Sequence, residues 1–259
     1  KGCKSECPSN VDMAKYKAEF LQHYYDDNGI PLRARIIAYI TSINRLGSIW
    51  PSLFNFFAAN QSLSKPVKKL FGFAAERSIP SLHSISLKKW LSYNLGKINA
   101  LQSTDAPRVH LFADEFTSFN DTHIGIKAIS LLSALGYRIH VPETDESGRT
   151  YISKGLLRTA RKKVNRNIEV LRDLVSDEEP LIGIEPSAIL GFRDDYPELA
   201  GAEYREDAQR LGRNALLFEE FFIREVRKGR IKQEMFTRES RQIKLHGHCQ
   251  QKAVASTRT

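Results

Sequence analysis

From residue 109 onward the chain alternates short apolar runs with longer amphipathic ones, and this alternation limits it to few folds. Val109-His110-Leu111-Phe112, the run 137–141 and Leu181-Ile182-Gly183-Ile184 are too short for helices and suit buried strands. Helical stretches lie between them, 124–135 stopped by Gly136 and 154–174. A short helix over 187–193, a longer one over 214–228 and a last strand at Ile243-Lys244-Leu245 complete the pattern. A helix joining two strands carries the chain back to the end where the first strand began, so the strands pair in parallel. The expectation is an α/β fold with a mostly parallel sheet covered on both faces.

Residues 1–100 carry a different pattern. Met13, Tyr16, Phe20, Leu21 and Tyr24 recur at helical spacing behind Ser9-Asn10-Val11-Asp12, which has the form of an N-cap with an acid three residues on. Asp27-Asn28-Gly29-Ile30-Pro31 makes a turn and 32–46 a second helix ended by Gly47. Shorter helices are expected around 52–59, 65–73 and 87–91. The polar stretch Gln102-Ser103-Thr104-Asp105-Ala106-Pro107 marks a boundary between a helical domain over 1–100 and an α/β domain over 107–259.

With 41% hydrophobic and 27% charged residues, 259 residues suffice for two cores, which excludes disorder throughout. The longest apolar runs, such as 129–135, are broken well short of the roughly 20 residues a membrane span needs. No charged start followed by an apolar core marks a secretory leader. A cytoplasmic protein, at most peripheral to a membrane, is expected.

Three cysteines, with Cys3 and Cys7 close together and Cys249 far away, make no disulfide framework. In a reducing compartment, thiols at short spacing beside a proline are better explained as ligands of a metal or cluster. Cys3-Lys4-Ser5-Glu6-Cys7-Pro8 has the C-x3-C-P spacing that closes the bacterial ferredoxin run C-x2-C-x2-C-x3-C-P. The first two cysteines of that run would lie upstream of Lys1. Iron favours soft, polarisable sulfur, and the proline and following helix fix how the last ligand points. In two-cluster proteins that last cysteine binds the other cluster, so Cys3 and Cys7 can serve different ones. On spacing alone, two exposed thiols are an equal reading.

The segment KGCKSECPSNVDMAKYKAEFL, residues 1–21, resembles the cluster-to-helix segment in the iron–sulfur portion of FAD-linked oxidases. Members of that family include glycolate oxidase, D-lactate dehydrogenase and D-2-hydroxyglutarate dehydrogenase relatives. The resemblance is strong again over 148–160, 184–196 and 246–253. It implies the tail of a 4Fe-4S motif followed by a cysteine-rich domain of the heterodisulfide reductase (CCG) type, truncated at its C-terminus. FAD would sit in a domain or subunit outside this chain. Electrons from an oxidised 2-hydroxy acid would then pass through clusters towards a membrane quinone or another redox acceptor. By itself the fragment is expected to be inactive.

His246-Gly247-His248-Cys249-Gln250-Gln251-Lys252-Ala253 resembles the segment that opens a cysteine-rich repeat in that family. The resemblance thus makes Cys249 a metal ligand beside Cys3 and Cys7. A thiol with two imidazoles close by in the chain is in itself a plausible soft ligand set, and a buried structural cysteine with solvated histidines is an equal reading. The same frame places cysteines near Ser147-Gly148-Arg149 and at Ala188, where neither residue present can act as a thiolate. That half of the domain is expected to keep its fold and hold no metal. Glu185, Arg149 and Lys154 either line the cleft at the strand ends, where open α/β sheets bind ligands, or form surface ion pairs.

The formal charge of +9 leaves other readings open. Lys154, Arg158, Arg161, Lys162, Lys163 and Arg166 share one helix, and 224–232 is a second basic run. Such faces are usually solvated. Nucleic-acid binding is the alternative from another class, disfavoured because interleaved aromatics and a recognisable binding module are missing. Docking to an acidic redox partner or an anionic membrane is a third. A structural zinc site from Cys3, Cys7, His248 and Cys249 would suit tetrahedral coordination, and it requires the chain ends to meet.

Overall fold

The computed structural model describes residues 4, 7–9, 11–244 and 246–256. From residue 11 onward, six α-helices of the described residues precede the first strand: α1 (Met13–Asn28), α2 (Leu32–Ala38), α3 (Ile40–Gly47), α4 (Pro51–Ala59), α5 (Gln61–Leu70) and α6 (Leu87–Ala100). The cap of α1 is Asp12 rather than Ser9: its carboxylate accepts the amides of Ala14 at 3.2 Å and Lys15 at 3.3 Å, donors with no partner inside the helix. The helix expected over 32–46 is two, because the chain bends at Tyr39. There the Tyr39 ring meets Tyr151 edge-on at 5.1 Å.

Among the described residues, four strands form one sheet: β1 (Arg108–Leu111), β2 (Arg138–His140), β3 (Leu181–Gly183) and β4 (Ala215–Leu217). Their order is β2-β1-β3-β4, and every pairing is parallel, as the strand–helix alternation requires. After β1 come α7 (Glu115–Phe119) and α8 (Thr122–Ala134), and after β2 come α9 (Arg149–Ser153) and α10 (Leu157–Leu171). β3 leads into α11 (Pro186–Ile189), α12 (Gly191–Asp194), α13 (Tyr196–Leu199) and α14 (Arg205–Asn214). β4 runs into α15 (Phe218–Arg227), and α16 (Cys249–Val254) closes the described part. The chain winds outward in opposite directions from β1 and β3, which opens a crevice between their carboxyl ends.

Side chains alternate across the sheet with the two-residue period of a strand. Val109, Leu111, Ile139 and Ile182 join Leu87, Ile129, Leu132 and Phe221 in one core, beneath α6, α8 and α15. Phe112, Leu181, Ala215 and Leu217 face the other core with Val164, Ile168, Phe192 and Leu211 from α10, α12 and α14. α6 lies before the polar stretch 102–107, yet Trp90, Leu91 and Ile98 pack it onto the sheet. It is a covering helix of the α/β layer. Among the described residues, no helix is long and apolar enough to cross a membrane.

Two expectations are corrected. The single helix expected over 214–228 is interrupted by β4, because Ala215 and Leu217 pair in register with Leu181 and Gly183 and are fully buried. Pairing with a central strand overrides the helical preference of Ala-Leu-Leu. The strand expected at 243–245 does not form at Ile243 and Lys244, which are irregular, with Ile243 85% exposed and no strand beside it to bury its side chain. Leu245 lies outside the described residues.

α1 docks on the α/β layer where a side chain is forbidden. A Cβ at Gly155 would stand 2.3 Å from Leu21 Cβ and 3.0 Å from the Ala18 carbonyl oxygen, and its φ of +71° is left-handed. Beside it, Arg158 reaches both carboxylate oxygens of Asp26 at 2.7 Å. Gly155→Ala should cost about 1–3 kcal/mol and loosen α1 first. Limited proteolysis checks this: cleavage within 13–28 should speed up before cleavage within the sheet.

Candidate functional site

Three loops leave the carboxyl ends of β1, β2 and β3 and bring acidic and hydroxyl side chains into the crevice. The first carries Asp114 and Glu115 directly behind the apolar strand. Asp114 caps α7, its Oδ1 accepting the amides of Phe116 at 2.8 Å and Thr117 at 3.0 Å and its Oδ2 the Thr117 hydroxyl at 2.5 Å. Burial pushes its pKa up, and the Glu185 charge adds to that, against the pull of these hydrogen bonds.

Glu115 is 2% exposed and faces the second loop. Its Oε1 accepts the Ser147 hydroxyl at 2.7 Å and its Oε2 the Ser147 amide at 3.0 Å. Burial first, then the Asp114 charge, raise the carboxyl to about 7 in spite of those two bonds. A group so placed can hold or release a proton near neutral pH.

Ser147 is itself held in place. Its carbonyl accepts the Tyr196 hydroxyl at 3.2 Å, and the Tyr196 oxygen accepts Asn167 Nδ2 at 2.8 Å. Asn167 in turn accepts the Asp145 amide at 2.7 Å and donates to the Glu146 carbonyl at 3.1 Å. The third loop brings Glu185, whose Oε2 accepts the Ala188 amide and the Ser187 hydroxyl, both at 2.6 Å, and so caps α11.

The residues expected to line this cleft divide. Glu185 is there, within electrostatic reach of Asp114. Arg149 sits at the start of α9 and is paired with Asp195 at 3.3 Å. Lys154 is elsewhere: it faces α1 and α2, where burial and then the Lys17 and Arg33 charges lower its pKa. Lys154 is the C-cap of α9, and Gly155 after it takes the left-handed φ of +71°. Asp114 and Glu115 are not among the residues expected from the sequence to line the cleft, although two acids directly behind an apolar strand in an α/β pattern are the signal that finds them.

Of the cysteines, Cys3 lies outside the described residues. Cys7 is half-buried, in a segment where Lys4 lies 4.0 Å from Asp12 and 3.8 Å from Asp194. Cys249 is exposed at the start of α16, whose N-cap His248 accepts the Gln250 amide at 3.1 Å. α16 packs against α11, the helix carrying Ala188, and Gln251 donates to Glu219 at 2.8 Å. Cys249 is thereby brought to the helix where the family resemblance places a cysteine. Among the described residues, no three His, Cys, Asp or Glu side chains converge to hold a metal ion. With the Ser147 hydroxyl committed to Glu115 and only a methyl group at Ala188, the crevice does not fit a thiolate-bound metal or cluster.

No protein-family model and no solved structure matches this chain. Curated proteins do. It is 28% identical over 208 residues to a D-2-hydroxyglutarate dehydrogenase of Pantoea ananatis, covering 78% of this chain and 20% of that protein. The Escherichia coli protein of the same name is 26% identical over 210 residues, 80% of this chain and 21% of its own length. The Pseudomonas putida protein is 24% identical over 207 residues, with 78% and 21% covered. This chain thus spans about a fifth of the length of the curated relatives it matches, and it is similar to one stretch of a much longer dehydrogenase.

Proposed function

We propose that this chain is the electron-transfer portion of a flavin- and iron–sulfur-dependent oxidoreductase that oxidises a 2-hydroxy acid of the D-2-hydroxyglutarate class. The observation that carries this reading is the similarity, over about four-fifths of the chain, to dehydrogenases of that name. FAD belongs to a domain or subunit outside these 259 residues, and the electron acceptor is a quinone or another redox partner. Cys3, Cys7 and Cys249 are, on this reading, ligands of iron–sulfur centres whose other thiolates come from beyond this chain. Such a cluster supplies one-electron transfer. The chain's own part is to place thiols: α16, seated on α11, presents Cys249, while Lys4 ties the segment of Cys7 to Asp194. The crevice at the strand ends, with Glu115, holds a proton and no metal.

Expression together with the flanking coding sequence tests this. The longer protein should be brown, contain iron and labile sulfide, and reduce an artificial dye with D-2-hydroxyglutarate. Cys7→Ser and Cys249→Ser should each slow dye reduction by at least about tenfold and leave reduction of the flavin by substrate intact. Alone, the 259-residue chain should be colourless. Stoichiometric zinc without iron or sulfide would overturn the reading, as would salt-dependent affinity for duplex DNA in a protein with no flavin partner.

A further inference from the structure

Residues 28–75 contain no Asp or Glu, while Arg33, Arg35, Arg45, Lys65, Lys68 and Lys69 all fall inside that stretch. In a chain with 30 acids among 259 residues, a run this long without one is a property of the segment. The segment is α2–α5, and its outer side is apolar. Ile49, Trp50, Leu53, Phe56 and Phe57 are each at least 50% exposed, Trp50 at 71%. Leu53, Phe56 and Phe57, at i, i+3 and i+4, share one side of α4, with Ile49 and the N-cap residue Trp50 next to its start. On α5, Leu63, Val67 and Leu70, at i, i+4 and i+7, share one face and are also exposed. Soluble monomers rarely leave so many large apolar side chains together unless the patch meets something.

The face points outward because the other sides of these helices are anchored. Asn44 donates to Asn120 at 3.0 Å, and Asn55 exchanges two bonds with the Leu82 backbone at 2.7 and 2.8 Å. Lys68 turns inward and donates to the carbonyls of Ala75 and Arg77. Arg45, Lys65 and Lys69 stay exposed.

Charge distinguishes what this face can meet. α1 also exposes a stripe, Met13, Tyr16, Phe20 and Tyr24, but Glu19, Asp26 and Asp27 share its surface with Lys17. That mixed rim suits an ordinary protein contact. The α4–α5 face has aromatic and aliphatic tips with cations and no carboxylate anywhere in its segment. At a lipid surface, Trp and Phe settle at the boundary of headgroups and acyl chains, Lys and Arg reach the phosphates, and a carboxylate would be repelled. We propose that the α4–α5 face seats this chain on the surface of an anionic bilayer, with Trp50, Phe56 and Phe57 as the inserted tips. This stands apart from the reading of the terminal cysteines as cluster ligands.

The chain has two tryptophans, and Trp90 is partly buried on the sheet, so Trp90→Phe leaves Trp50 as the reporter. The 259-residue chain should co-sediment with phosphatidylcholine vesicles that contain phosphatidylglycerol. Its Trp50 emission should shift to the blue and be quenched by brominated acyl chains, and pure phosphatidylcholine should bind at least about tenfold more weakly. Phe56→Asp with Phe57→Asp should abolish binding, and Lys65→Glu with Lys69→Glu should weaken it by at least about tenfold. Far-ultraviolet circular dichroism should stay unchanged, since all four side chains are exposed. Trp50 emission unmoved by anionic vesicles, equal binding to both lipid mixtures, or burial of Trp50 in a dimer of this chain would overturn the proposal.

Discussion

Phe192→Ala should cost about 4 kcal/mol of folding stability, a large part of the roughly 5–15 kcal/mol that holds a domain together. Phe192 is fully buried, its ring 5.1 Å and edge-on from Phe112 and 4.1 Å from Tyr196. Truncation removes contacts on both sides and leaves a void that β1, α10 and α14 cannot collapse to fill. The effect reaches the crevice, because Tyr196 is the residue that holds the Ser147 carbonyl. Urea titration measures the loss, and Phe192→Leu, which keeps most of the volume, should lose less than about 1.5 kcal/mol. A loss for Phe192→Ala as small as that for leucine would show that this core is not packed as described.

Glu115→Gln should stabilise the protein at pH 8 and change it little at pH 5. In the unfolded chain the carboxyl ionises at its ordinary 4.5, and in the fold it keeps its proton up to about 7. Below 4.5 both states hold the proton, and the group contributes no penalty. Between 4.5 and 7 the unfolded chain has released its proton and the native state has not, so native stability falls as pH rises. Above 7 the penalty is constant at about 3 kcal/mol. Glutamine keeps the shape, can accept the Ser147 amide and can donate to the Ser147 oxygen. Its stability curve should therefore exceed that of the native protein by about 3 kcal/mol at pH 8 and by under about 1 kcal/mol at pH 5. Parallel curves across that range would mean that Glu115 titrates like a surface carboxylate.

The two tests probe parts of the molecule that differ in how far they can be read from residues alone. Phe192 belongs to an apolar pattern visible in the chain, and its burial follows from the sheet's need for a cover on that face. Glu115 is a charged residue at a strand end. What makes it protonatable at neutral pH is burial between the flanking loops and then the charge of Asp114, against the pull of the two hydrogen bonds from Ser147, 32 positions away. The cysteines illustrate the same division. Their spacing and surroundings are local, so the resemblance around Cys3, Cys7 and Cys249 is legible, while the seating of Cys249 on the helix of Ala188 depends on how α16 folds back.

Local order was decided by the sequence itself. Strands β1 and β3 follow from short apolar runs that end up buried, β2 from the short run 137–141 at the sheet edge, the helices between them from a 3.6-residue period, and parallel pairing from their alternation. These properties act between near neighbours, so they survive in the linear pattern. Tertiary structure decided the rest. It made Ala215-Leu216-Leu217 a strand by offering β3 as a partner, and it recruited α6 to cover the sheet. It also turned Glu115 into a proton-holding group and left the α4–α5 face bare. Each of these depends on which distant residues exclude water from a side chain, and that is set only when the whole chain has packed.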